Sequence, residues 1–115
     1  VRSLHVYFMK YKFRPDRKDR AVLLSEFGGY ALRVPGHSFN DRDFGYKICK
    51  TPKELEEALR KLYRDEIAPA KAQGLAAAVY TQVSDVEDEL NGLLTYDRQA
   101  LKLPVETVRE IVTAL

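Results

Sequence analysis

Three apolar runs punctuate the chain: SLHVYF at 3–8, AVLLSEF at 21–27 and LAAAVYTQ at 75–82. The first is rich in β-branched and aromatic residues, which predicts a strand. The second is apolar on consecutive rather than alternate positions, the pattern of a parallel strand covered on both faces. The third reads as another apolar strand. Between the second and third strands, TPKELEEALRKLYRDEIAPAKAQG has apolar residues at helical spacing, with Leu55, Ala58, Leu59, Leu62 and Ile67 on one face. Thr51 stands as N-cap, Pro52 opens the first turn and Glu54 completes a capping box. Gly74 supplies the stop, and Pro69 is expected to kink or end the helix in its last turn. PVETVREIVTAL carries Val105, Val108, Ile111 and Val112 on one stripe and predicts a closing helix.

The intervening segments are polar. Residues 9–20 are highly charged around a central proline and read as a solvated connecting loop. Residues 28–50 contain four glycines, a proline and scattered aromatics, which predicts a long irregular loop of the kind usually tied to function. The resulting order of strands and helices implies an α/β fold with a parallel sheet and helices packed outside it. At 115 residues the chain reads as a single domain, 1–115. Val1 opens directly into an apolar run without an initiating methionine, so the chain reads as a piece of something longer.

Charge narrows the partners. The formal net charge is +2, with 45% hydrophobic and 31% charged residues, a globular composition. HVYFMKYKFRPDRKDR interleaves aromatics with basic residues, but Asp16 and Asp19 interrupt it and the chain is hardly basic. A solvated loop is therefore expected and no nucleic-acid partner. No apolar run approaches membrane-spanning length, so no membrane partner is expected. The one cysteine, Cys49, leaves no internal disulfide and reads as a small, semi-buried apolar residue. The acidic run Asp85, Glu87, Asp88, Glu89 lacks the spacing of a calcium loop. It is expected to be solvated, with one or two residues bonding backbone and no metal.

In parallel α/β folds, ligands sit at the carboxyl ends of the strands. Glu26 occupies that position after the second strand, and Tyr80, Thr81 and Gln82 after the third. His5 and Tyr7 lie in the equivalent part of the first. A rim of His, Tyr, Glu and Gln suits a polar small molecule, sugars in particular. Gly28 and Gly29 fit a backbone that a ligand approaches closely. From the residues alone, Glu26 stands level between a catalytic carboxylate and a strand-end partner for an arginine.

Two segments shift that balance. AVLLSEFGGY resembles the seventh-strand segment of glycoside hydrolase family 2, the family of β-galactosidases, β-glucuronidases and β-mannosidases. AVYTQVSDVEDELNGLLTYDRQALK is similar to that family's eighth strand and the loop beyond it. The resemblance implies a partial TIM barrel, roughly strands six to eight of a (β/α)8 domain with its last two helices. It also implies a retaining glycosidase in which Glu26 is the nucleophile. No cofactor is implied. His5 and Tyr7 become candidate substrate contacts, with Tyr80 where many members carry a tryptophan. Gln82, Glu87 and Asn91 are further candidates for the pocket rim.

The family's acid/base glutamate belongs to an Asn-Glu pair, and no Asn-Glu occurs in this sequence. The implied partners are a carbohydrate substrate and the remainder of a barrel with its β-sandwich domains. The isolated chain is expected to be inactive and, with open sheet edges, to self-associate. The alternative is a freestanding α/β binding or interaction module that uses the same rim without chemistry.

Overall fold

Strand β2, Val22–Gly28, is the centre of the molecule. In the computed structural model, which describes residues 1–115, it is flanked by β1, Arg2–Val6, and β5, Ala77–Thr81. Both neighbours run parallel to it, giving the sheet order β1-β2-β5. One face of β2 buries Val22, Leu24 and Phe27 against the helical layer. The chain is therefore a compact α/β domain of parallel strands with a few helices.

The helical layer follows the expected stripe. Helix α1, Pro52–Leu62, starts at Thr51, whose Oγ1 accepts the Glu54 backbone N–H at 3.1 Å. Glu54 reaches back to the Lys50 N–H at 2.7 Å, one residue further out than a standard capping box. Leu55, Leu59 and Leu62 are buried against the sheet, each contributing about 1.5–3 kcal/mol through removal from water. Pro69 neither ends nor breaks this helix. A five-residue π turn, Tyr63–Ile67, precedes it, and helix α2, Ala68–Gln73, continues to Gly74. The Ala68 N–H bonds the Tyr63 carbonyl five residues back. That wider turn makes room for a proline ring that would otherwise press on the preceding turn. Gly74, at φ 114°, terminates α2 as expected.

Three sequence expectations need correction. The sheet is not covered on both faces: Leu23, Ser25 and Glu26 of β2 are part-exposed, Ser3 and His5 of β1 are exposed, and in β5 the successive Ala77, Ala78 and Val79 are exposed on both sides. Three strands present no opposing strands to fill the concave side. Next, residues 28–50 are not irregular throughout. Short strands β3, Tyr30–Leu32, and β4, Lys47–Cys49, pair in parallel as a second small sheet. Between them, Arg33 bonds the Asp43 carboxylate and the carbonyls of Asn40 and Arg42, at 2.9 and 2.8 Å for the carbonyls. Finally, the 9–20 segment is anchored rather than merely solvated. Tyr11 is buried in the core cluster, and its N–H donates to Glu66 at 2.8 Å. Asp16 ties Arg20, Arg2 and the Lys18 N–H together, and these bonds hold its carboxyl far below the usual carboxylate range.

Helix α3, Val105–Thr113, buries Ile111, while Val105 and Val112 of its stripe remain about half exposed. Cys49 is buried in the core and burial pushes its thiol up, away from the reactive thiolate.

Candidate functional site

The strand end that carries Glu26 is irregular, and the irregularity aims the carboxylate. Leu4 pairs with Leu24 and His5 with Glu26, so Ser25 is an extra residue on β2. The register to β5 slips over the same stretch, between Leu24 and Phe27. This is a β-bulge, a device that bends a strand and redirects side chains. Its effect is to present Ser25 and Glu26 together. Ser25 Oγ lies 2.5 Å from Ser3 Oγ and 3.3 Å from the Leu4 carbonyl. Glu26 meets Tyr7 and His5, while Phe27 resumes the buried face.

Around Glu26 the polar contacts are specific. The Tyr7 hydroxyl donates to Glu26 Oε2, and Thr81 Oγ1 lies 3.3 Å from the same phenol oxygen. His5 Nδ1 stands 3.4 Å from Glu26 Oε2. The Glu26 side chain is 43% exposed, open to a ligand despite these partners. Burial, then the bond to the Glu26 carboxylate, push the Tyr7 hydroxyl up to about 12. Tyr7 therefore stays a protonated donor across the physiological range. Replacing Glu26 by glutamine should bring the Tyr7 titration down from about 12 toward the ordinary phenol value, without reaching it, because the burial remains. The midpoint of the Tyr7 ring-carbon resonance in an NMR pH titration reads this directly; an unchanged midpoint would show that the bond does not govern Tyr7.

The two glycines after Phe27 make room for tyrosine rings, a reason for them that the sequence did not show. Gly28 and Gly29 have φ of 89° and 68°, a region open to glycine. A Cβ on Gly28 would collide with the Tyr80 ring, and one on Gly29 with the Tyr46 ring. Tyr46 lies flat on Tyr7, with ring centroids 3.7 Å apart and planes 8° from parallel. It holds the ring whose hydroxyl bonds Glu26. Sequence reading passed over Tyr46 because it sits in a polar loop. The signal was the Phe44–Gly45–Tyr46 spacing immediately before the β4 residues.

Tyr80 is not on the rim. It pairs in register with Phe27 and packs edge-on to that ring at 5.7 Å, on the helix side of the sheet. Burial raises its hydroxyl strongly. A strand alternates faces, so Thr81, the next residue, points to the Glu26 side and contacts Tyr7.

Gln82 continues from Thr81 through a cis peptide bond. Its Nε2 donates to Asn91 Oδ1 at 2.7 Å and to Glu89 Oε2 at 3.2 Å. Asn91 itself is wholly buried, which removes it from the surface offered to a ligand; its role is to orient Gln82. Glu87 is exposed at the loop tip with φ 50° and bonds none of these residues. Of the six candidate contacts, the structure gathers His5 and Tyr7 at Glu26. Gln82 follows Thr81 in the chain but bonds Asn91 and Glu89 instead, and Tyr80, Asn91 and Glu87 lie elsewhere.

The acidic loop exposes Glu87 and has one residue, Asp85, bonding backbone, as expected, but Asp85 is not itself solvated. Asp85 is buried, accepts the Gly92 N–H at 2.9 Å and meets Lys102 Nζ at 2.6 Å. Lys102 donates again to the Leu90 carbonyl at 2.7 Å. Desolvation pushes the Asp85 carboxyl up and the Lys102 ammonium down, and their bond to each other offsets both shifts. The pair locks the two ends of the loop that carries Glu89 and Asn91. No three His, Cys, Asp or Glu side chains gather as a metal site, and no helix is long and apolar enough to cross a membrane. No family model matches the chain, and no curated protein matches it.

Proposed function

We propose that the chain forms the part of a retaining glycoside hydrolase barrel that supplies its nucleophile, Glu26. The observation that carries this reading is the bulge at Ser25–Glu26. It turns a carboxylate out of a buried strand, at the carboxyl end of a parallel sheet, onto an open face. A carboxylate oriented by a tyrosine hydroxyl is suited to attack an anomeric carbon. The bond to Tyr7 fixes one oxygen, Oε2, and leaves Oε1 free of protein hydrogen bonds.

In this reading the sugar rests against the concave face, with His5 and Tyr7 beside its reacting carbon. A glycosyl-enzyme ester forms at Glu26 and water later cleaves it. A second carboxyl group, about 5–5.5 Å from the first, must protonate the leaving oxygen. The polar partners of Glu26 are Tyr7 and His5, and no second carboxylate is among them. In this reading the acid/base comes from the rest of the proposed barrel, across the open face, since the chain lacks the Asn-Glu pair that carries it in the family it resembles.

Incubating the longer enzyme with a 2-deoxy-2-fluoro glycoside is expected to leave a stable ester on Glu26, visible as a mass increase on the peptide that contains it. The 115-residue chain alone is expected to show no turnover of aryl glycosides. A label on another carboxylate would remove Glu26 from the role, and turnover by the isolated chain would overturn the reading that its acid/base lies elsewhere.

A further inference from the structure

A second cavity, of about 340 Å³, lies behind the Tyr7–Tyr46 stack. It is walled by the end of β1, the Phe27–Tyr30 turn, the start of β4 and the π turn, so every side belongs to this chain. His5, Glu26 and Thr81 do not line it; Tyr7 borders both places, through its hydroxyl on one side and its ring on the other.

The lining defines the chemistry. Tyr7, Tyr30 and Tyr46 provide aromatic walls. Phe8 and Met9 form part of the lining while standing 82% and 75% exposed, large apolar side chains left in water at its mouth. Lys10 and Lys47 bring two positive charges, and the Lys47 ammonium lies 5.3 Å from the Tyr30 ring centroid. The one carboxylate, Glu66, already accepts the Tyr11 N–H. No Asp, Asn, Gln, Ser or Thr is present to receive the hydroxyls of a sugar. The volume is at the small end for ligand sites and limits the occupant to about one ring.

We propose that this cavity binds a single-ring aromatic carboxylate, its ring against the tyrosine walls and its anionic group between Lys10 and Lys47. The site is separate from the one at Glu26 and does not depend on the glycosidase reading. Aromatic faces favour a flat ring, and two cations facing one occupied carboxylate leave an uncompensated positive charge.

The test is a titration of the uniformly ¹⁵N-labelled chain with 4-hydroxybenzoate, followed by amide shifts. Saturable shifts are expected at residues 7–10, 30 and 46–47. The methyl ester, uncharged but of like shape, is expected to bind about tenfold more weakly, since two partly exposed ion pairs are lost at about threefold each. Lys10→Gln with Lys47→Gln should reproduce that loss for the acid and leave the ester unaffected. Phe8→Ala, at an exposed position, should weaken both probes. Equal binding of acid and ester, shifts centred on His5, Glu26 and Thr81, or no saturable shifts would each overturn the proposal.

Discussion

Replacing Lys102 by methionine is expected to cost about 3–5 kcal/mol of folding stability, the largest loss from any single change at a charged position in this chain. The Lys102 side chain is 0% exposed and Asp85 2%, so the substitution leaves the carboxylate buried without its counter-charge. Two further groups lose out. The Leu90 carbonyl loses one of its two donors and keeps the Leu32 N–H, and the Gly92 N–H is left as the remaining partner of an uncompensated Asp85. Urea denaturation of the wild type and the variant measures the difference. A cost below about 1 kcal/mol, the level of an exposed ion pair, would show that the pair is solvated in solution.

The double variant Lys102→Met with Asp85→Leu separates charge from hydrogen bonding. Removing both charges should recover part of the loss, since a buried ion pair gains little over an apolar pair once desolvation is counted. Recovery should be incomplete, because the Gly92 N–H then stays buried and unpaired, at about 1–3 kcal/mol, while the Leu90 carbonyl keeps the Leu32 N–H. A Cβ at Gly92 would meet the backbone of Ser84 and Asp85, so the close approach of these two loop segments requires glycine.

That ion pair also marks a limit of sequence reading. Asp85 stands among Glu87, Asp88 and Glu89, and nothing local separates the one buried carboxylate from its solvated neighbours. Its partner is 17 residues away, in a segment with neither helical nor strand periodicity. The helices were legible because Thr51, Pro52, Glu54 and Gly74 are local signals that act within a turn. The three main strands were legible from their apolar runs. Glu26 was legible as a candidate from its position, but the bulge that aims it was not. A bulge is a property of paired registers, and Ser25 declares itself as the extra residue only against Leu4 and His5. Tyr80 was misplaced for a related reason: face assignment depends on counting outward from a buried neighbour, and Phe27 supplies that reference only after the strands are paired.

The same pairing makes the consequence of changing Glu26 testable apart from the fold. Glu26→Gln keeps the side chain's size, and the Tyr7 hydroxyl can still donate to the amide oxygen, so stability should change by less than about 1 kcal/mol. The amide, however, cannot form the glycosyl ester. In the proposed longer enzyme, if Glu26 is the nucleophile, turnover should fall by at least about 10³-fold, the scale on which removing an essential group acts. Adding azide to Glu26→Ala should then restore part of the rate and yield a glycosyl azide of inverted configuration, because a small anion can enter the space the carboxylate vacates and attack from its side. A structural carboxylate, positioned only to hold Tyr7 and His5, would show neither the loss in the glutamine variant nor the rescue in the alanine variant. Near-normal turnover by Glu26→Gln would return Glu26 to that structural role, whereas azide rescue with inversion could come only from a group that stood in line with the anomeric carbon.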